Sequence, residues 1–203
     1  MAHYFTNETG DRREYERRLT FGGREFLFTT SDGVFSKRDL DEGTVRLLEA
    51  ALPHIKEGPA TMVDLGCGYG AIGVIIAVFR PEIRCLMFDI NEKAVELANI
   101  NIQNNGLGKR AVAAGGDGLA GLLETVDYIV TNPPFRAGKQ VVLRFFAQSH
   151  GALAPDGALF VVLRKQQGAQ SYIRAIEDIF GNCDVLLKKK GYVVVKTVKK
   201  DIN

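Results

Sequence analysis

The 203-residue chain predicts an α/β fold: a mostly parallel seven-stranded sheet closed by a C-terminal antiparallel hairpin, helices on both faces, and a small N-terminal β-hairpin. Three observations predict it. From residue 60 onward, short apolar runs alternate with segments of helical periodicity, which implies parallel strands joined by right-handed crossover helices. The last two apolar runs, 184–187 and 192–198, are joined through Lys190-Gly191, too short a link for a crossover, so they pair antiparallel. Gly22-Gly23 lies between two extended runs and carries the two-residue signal of a primed hairpin turn.

In order along the chain, residues 1–18 are polar and charge-dense and are expected to be loose or weakly helical, ahead of a domain over 19–203. Leu19 to Phe21 and Arg24 to Thr30 form the hairpin, and a loop follows through Gly33, Phe35 and Lys37. Val45, Leu48, Leu52 and Ile55 recur at helical spacing, with Asp41 or Thr44 as cap and Pro53 near the end. Met62 to Leu65 is a strand, and Ala71 to Phe79 a helix that stops before Pro81. Arg84 to Asp89 is a strand; Asn91 caps a helix through Asn104 that Gly106 closes. Arg110 to Ala114 is a short strand before the turn Gly115-Gly116-Asp117-Gly118, and Val126 to Thr131 is another. Gln140 to Leu153 is helical and Ala158 to Leu163 extended. Tyr172, Ile173, Ile176, Ile179 and Phe180 then share one helical face, with Gly181 after it.

Composition narrows the function. With 46% hydrophobic and 25% charged residues the chain can build a full core, and global disorder is excluded. A net charge of +2 argues against a surface coated in basic residues. The C-terminus departs from that balance: Lys188, Lys189, Lys190, Lys196, Lys199 and Lys200 stand against Asp201 alone. Such a stretch could meet phosphates, although lysines on a terminal strand also serve to discourage strand addition. Cys67, Cys85 and Cys183 lie far apart, with no metal-ligand spacing, so no metal is expected and a reducing compartment is. No leader pattern and no apolar run near 18 residues is present, so the expectation is a cytoplasmic protein with no membrane partner.

Chemistry concentrates at the predicted carboxyl ends of the strands, where ligands bind in open α/β sheets. Asp64-Leu65-Gly66-Cys67-Gly68-Tyr69-Gly70 reads as strand, tight turn, helix. Its glycines let a ligand pass close to the backbone, and the helix that follows offers free N–H groups. Gly68, Gly70 and Gly73 also satisfy the dinucleotide pattern, with Asp89 as its ribose acid, so spacing alone leaves the cofactor open. Asp89 could accept from two ribose hydroxyls with Ile90 against a base, or simply favour a helix N-terminus. Asp117, beside Gly118, could accept from an adenine amino group or be ordinary turn chemistry. Asp64 could hold an ammonium or cap the glycine turn.

Asn132-Pro133-Pro134-Phe135 is the most specific signal. Two prolines stiffen the loop and set its carbonyl directions. Asn132 Oδ1 and the Pro133 carbonyl could accept both N–H bonds of one planar amino group while Phe135 stacks on its ring. Holding both bonds favours a pyramidal nitrogen whose lone pair faces an electrophile, and no strong base is needed. The alternative is a rigid turn with a core phenylalanine.

At these residues the chain resembles the class I S-adenosylmethionine-dependent methyltransferases, whose fold is Rossmann-like. The resemblance implies that Asp64, Gly66, Cys67, Gly68 and Gly70 form the glycine motif, Asp89 the ribose acid, Asp117 and Gly118 the adenine contact, and Asn132 to Phe135 the amino-nitrogen catalytic motif, with Asn132 and Ile90 also among the cofactor contacts. Asp32-Gly33-Val34-Phe35-Ser36 and Leu40-Asp41-Glu42-Gly43-Thr44, with Arg136-Ala137-Gly138-Lys139 and Arg164-Lys165, are similar to the small-domain family that includes bacterial small-subunit ribosomal RNA guanine-N2 methyltransferases. The likeness covers about residues 19–198. It implies S-adenosylmethionine as cofactor, methyl transfer to an exocyclic amine, and ribosomal RNA or a ribosomal subunit as partner. Phe35, Ser36, Lys37, Arg136, Lys139 and Lys165 are the candidate substrate contacts. Alternatives are N-methylation of a protein glutamine amide or of adenine N6, an NAD-dependent oxidoreductase, and a non-catalytic RNA-binding module. An acid just before the glycines would repel a pyrophosphate and welcome an ammonium, and Asn-Pro-Pro-Phe has no role in hydride transfer. Both points favour methyl transfer.

Overall fold

A computed structural model describes residues 13–32 and 40–200. An antiparallel hairpin of β1 (Glu14–Phe21) and β2 (Arg24–Ser31) comes first. Gly22 and Gly23, at φ 55° and 77°, take the left-handed geometry that a primed two-residue turn requires. β1 begins at Glu14, earlier than the charge-dense composition suggested. Glu14, Glu16 and Arg18 alternate with half-buried Tyr15 and Arg17, so the charges form the water-facing side of a strand, not a loose segment.

Seven strands follow in the order β5-β4-β3-β6-β7-β9-β8: β3 (Ala60–Leu65), β4 (Ile83–Asp89), β5 (Ala111–Gly115), β6 (Val126–Thr131), β7 (Leu153–Arg164), β8 (Asp184–Lys189) and β9 (Tyr192–Val198). β5 through β7 pair in parallel; β9 is antiparallel to both β7 and β8. This is the expected mixed sheet with its terminal hairpin. β7 is longer than predicted, because Pro155-Asp156-Gly157 is absorbed at a register shift against β6 and held to the chain beyond β9 by Asp156 N–H on the Lys199 carbonyl at 2.8 Å.

The helices are α1 (Glu42–Ala51), α2 (Ala71–Phe79), α3 (Glu92–Asn104), α4 (Lys139–Ala152) and α5 (Ala169–Phe180). Of the two candidate caps for α1, Asp41 takes the role, Oδ2 accepting from Thr44 N–H at 3.1 Å. α1 stops at Ala51 and tightens into a 3₁₀ turn over Leu52–His54, where Pro53 provides no donor for a continued helix. Alternation along the strands divides the core in two. Met62, Cys85, Val130, Phe160 and Val194 face α1, α2, α3 and the hairpin. Val63, Leu86, Ile129, Leu159 and Val193 face α4 and α5. Strands buried on both faces carry unbroken apolar runs.

The hairpin is fastened to α3 by two asparagines. Asn101, fully buried, accepts from Thr29 N–H at 2.6 Å and donates to the carbonyls of Thr29 and Tyr69 at 2.9 and 2.8 Å. Asn105 bridges Leu27 N–H and C=O in the same way. An Asn101→Ala variant leaves three buried backbone groups without their partner and should lose about 2–4 kcal/mol of stability. Urea unfolding would read this as a lower midpoint with an unchanged slope.

Candidate active site

The chain runs outward from β3 to β4 and β5, then returns to place β6 on the other side of β3. That reversal is where a crevice opens beyond the strand ends. A cavity of about 670 Å³ lies there, lined by the glycine turn, the tips of β4 and β5, the diproline corner and the start of α1. Thr131 Oγ1 donates to the Leu65 carbonyl at 2.7 Å, which ties the end of β6, and with it the corner, to the end of β3.

The glycine turn is built against β4. Gly66 and Cys67 N–H both donate to the Phe88 carbonyl, at 2.8 and 3.0 Å. Gly70 sits at φ 85°, and a Cβ there would come within 3.2 Å of Ala98 and 3.3 Å of Met87 Sδ, so packing and dihedral both require glycine. Gly68 is open for the opposite reason: a Cβ on it would meet no protein atom within 4 Å, because that side faces the cavity. The Cys67 thiol is pushed well above its ordinary pKa by burial, so it is neutral and not a nucleophile.

Asp64 lies beneath this turn and not in the cavity wall. It is fully buried; Oδ2 accepts from Gly73 N–H at 2.8 Å, and Oδ1 has no hydrogen-bond partner. Burial raises its pKa to about 7, against the Gly73 hydrogen bond, with the charge of Asp89 adding to the rise. Of its two candidate roles, the turn-capping one is displayed by this geometry.

Asp89 and Ile90 do line the cavity. Asp89 Oδ2 accepts from Gly68 N–H at 2.8 Å and Oδ1 from Asn91 N–H at 2.9 Å. The carboxylate is therefore fixed, with lone pairs to spare on each oxygen. Ile90 is 44% exposed, an apolar side chain left on the cavity side. Asp117 and Gly118 also line it, but Asp117 Oδ1 accepts from Arg144 at 2.6 Å. A Cβ on Gly118 would come within 1.9 Å of Gln148 Oε1, which accepts from Leu119 N–H and so holds this tip onto α4.

At the corner, Pro134 at φ −75°, ψ 73° and the 2.8 Å bond from Phe135 N–H to the Pro133 carbonyl make an inverse γ-turn. One lone pair of that carbonyl is used internally and one remains. Phe135 lines the cavity and rests its ring 5.5 Å from Tyr172. Asn132 Nδ2 donates to Asp41 Oδ2 at 3.0 Å and to Thr44 Oγ1 at 3.4 Å. A carboxylate can only accept, so it dictates which end of the amide faces it. Oδ1 is thereby left uncommitted among the described residues.

Of the expected substrate contacts, Arg136 lines the cavity. Lys139 and Lys165 do not, and Lys139 Nζ instead reaches Ser171 Oγ at 2.8 Å. Phe35, Ser36 and Lys37 lie outside the described residues. Sequence reasoning missed Thr44, Arg144, Arg164 and Gln167 as lining residues, and saw in Asp41 only a helix cap. Among the described residues no group of three or more His, Cys, Asp or Glu could hold a metal, and no helix is long and apolar enough to cross a membrane.

The methyltransferase small domain family matches residues 25–196. The chain belongs to that family. Of the two readings that the glycine spacing left open, membership selects methyl transfer over hydride transfer. The chain is 36% identical to the uncharacterized protein YbxB of Bacillus subtilis over 207 residues, covering 97% of this chain and 98% of that protein. It is 31% identical to ribosomal RNA small subunit methyltransferase C of Alcanivorax borkumensis, over 82% of this chain and 50% of that protein. With ribosomal RNA large subunit methyltransferase G of Streptomyces avermitilis the identity is 33%, over 85% and 45%. The chain spans about half the length of these two named methyltransferases. Among solved structures, a T. thermophilus 16S rRNA N2 methyltransferase in complex with AdoMet and guanosine superposes with a TM-score of 0.80 at 28% identity, covering 93% of this chain and 51% of that one.

The buried Asp64 yields a signed prediction. Its pKa is about 7 folded against the ordinary 3.8, so between these values the native state binds the extra proton, and stability falls as pH rises through the interval. Asp64→Asn keeps an acceptor for Gly73 N–H without the charge. Relative to the variant, the wild type should lose about 2–3 kcal/mol of unfolding free energy between pH 5 and pH 8, measured by denaturant titration at the two pH values.

Proposed function

We propose that this chain transfers a methyl group from S-adenosylmethionine to an exocyclic amino nitrogen, namely N2 of an unpaired or flipped guanine in ribosomal RNA. The observation that carries the reading is the amide of Asn132, turned by Asp41 and Thr44 so that its oxygen is uncommitted at the cavity.

The walls fit the cofactor. Gly68 leaves a path that a Cβ would narrow, Asp89 has acceptor capacity for two ribose hydroxyls, Ile90 and Phe88 offer apolar surface to a base, and Asp117 with Gly118 stands at its far edge. The unpartnered Asp64 Oδ1 favours a cation over the turn through its field, without touching it. When bound, S-adenosylmethionine supplies a methyl group on a positively charged sulfur, open to displacement by a nitrogen lone pair. The protein's part is orientation. Asn132 Oδ1 and the remaining lone pair of the Pro133 carbonyl accept the two N–H bonds of the target, and Phe135, braced on Tyr172, stacks on its ring. Asp41 keeps the Asn132 amide from turning its donors toward the incoming donors. The nitrogen's proton leaves once that nitrogen has become cationic, so positioning supplies most of the rate. A base within a duplex cannot enter such a cavity. The AdoMet and guanosine bound by the T. thermophilus relative support the choice of donor and acceptor, and a ribosomal substrate implies the cytoplasm.

The test is labelled-methyl transfer into separate pools of deproteinised rRNA, ribosomal subunits and ribosomal proteins. Label in RNA as N2-methylguanine is expected; label confined to protein, or to adenine, overturns the substrate. Asn132→Ala should lower kcat about 100-fold or more with cofactor affinity little changed, and near-full activity would remove Asn132 from the mechanism. Asp41→Ser separates two roles, since serine still caps α1 but is too short to hold the amide. It should keep the wild-type melting temperature and lose about tenfold in kcat, whereas a merely structural Asp41 predicts the reverse.

A further inference from the structure

The lysine-rich C-terminus reads in sequence as one cluster at a solvated edge; the fold divides it. β9 runs antiparallel to β7, so the turn at Lys190-Gly191 lies at the carboxyl end of β7, beside the cavity. Lys165 N–H donates to the Gly191 carbonyl at 2.9 Å and joins the two loops. Lys196, Lys199 and Lys200 are carried toward the opposite end, where Lys199 Nζ donates to the Leu153 carbonyl at 2.7 Å.

Register orders the near half further. Arg164 pairs with Tyr192, and Tyr192 pairs with Lys189, so these three residues form one cross-strand row on one face of the sheet. Two strand spacings separate its ends, about 10 Å. The inner end is Arg164, which lines the cavity; its guanidinium lies 4.9 Å from the Tyr192 ring centroid and donates to the Tyr192 hydroxyl. The outer end is Lys189 on the free edge strand, followed by Lys190. The nearby acids are already engaged: Asp41 with Asn132, Thr44 and, at 3.9 Å, Arg164; Glu42 with Arg46 and, at 3.3 Å, Lys190. Edge protection alone accounts for lysines on β8. It does not account for a basic row that begins inside the cavity wall.

We propose that Arg164, Lys189 and Lys190 form a phosphate-binding stripe that leads an RNA strand from the free edge of the sheet into the cavity. The proposal rests on the RNA reading given above. Arg164 would hold the phosphate next to the target nucleotide, its planar fork kept in place by Tyr192. The edge lysines would hold phosphates further along the strand.

The experiment compares the wild type, a Lys189→Gln/Lys190→Gln variant, and a Lys109→Gln/Lys200→Gln variant with the same charge change on exposed residues at the strands' other end. Methyl transfer into deproteinised rRNA is followed across a salt series, with S-adenosylmethionine affinity by calorimetry and thermal midpoints alongside. The edge variant should raise KM for RNA tenfold or more, flatten the dependence of log KM on log salt by about one per lost lysine contact, and leave kcat, cofactor affinity and midpoint unchanged. The control variant should keep wild-type KM and slope. Wild-type activity on RNA with an edge variant no worse than the control overturns the stripe alone. A wild type that labels ribosomal proteins and no RNA overturns the underlying reading, and the stripe's occupant with it.

Discussion

Every feature of the cavity depends on β3 and β6 lying side by side. The pairing of Asp64 with Val130 and the Thr131–Leu65 hydrogen bond bring the glycine turn and the diproline corner, far apart in sequence, to adjacent strand tips. Neither loop is a site alone. The turn is a backbone cradle without a side chain to do chemistry, and the corner is a pair of acceptors with nothing to accept for. Because the two strands are central and buried on both faces, their tips cannot drift relative to each other without disrupting both cores.

The same rigidity makes an otherwise costly choice tolerable. Asp64 places a carboxylate in a fully buried position with one oxygen unpartnered, an arrangement that burial penalises. A neutral residue would pack there with less strain on stability. On the proposed reading the acid would provide a negative field under the turn where the cationic cofactor would lie, and a pKa near neutrality limits the cost of its burial. Asp89 uses the opposite strategy: two backbone N–H groups fix its carboxylate while it still faces the cavity. One acid is buried beneath the turn and the other faces the cavity, and sequence spacing does not distinguish them.

What was legible in the sequence, and what was not, follows from the range of the interactions involved. Helices α2 and α3 and strands β6 and β9 are set by local apolar periodicity and by caps such as Asn91, and they lie where those signals put them. β1 was obscured because its outer face is charged, and the amino end of β7 because Pro155-Asp156-Gly157 imitates a break. Asp41 was legible as a cap, but its second role depends on Asn132, 91 residues away. Lys165 and Lys139 were candidates as basic residues within segments similar to the family. The side chain that enters the cavity is Arg164, one residue from Lys165, and such a step at a strand end exchanges one face for the other.

A corner that grips a planar amine through two acceptors cannot by itself choose among amines. Guanine N2, adenine N6 and a glutamine amide all present the same two N–H bonds, and on the proposed reading Asn132, Pro133 and Phe135 would meet each with the same geometry. Discrimination must come from groups that contact the rest of the substrate, and among the described residues those outside the corner that line the cavity include Asp41, Thr44, Arg136, Arg164 and Gln167. Of these, Arg136 and Arg164 carry a permanent positive charge, and Arg164 is joined through Tyr192 to the lysines of the sheet edge. A neutral peptide amide has no use for that row. A nucleotide with a phosphate on each side of its base does, so on the proposed reading the charge outside the corner, more than the corner itself, favours nucleic acid over protein as the substrate.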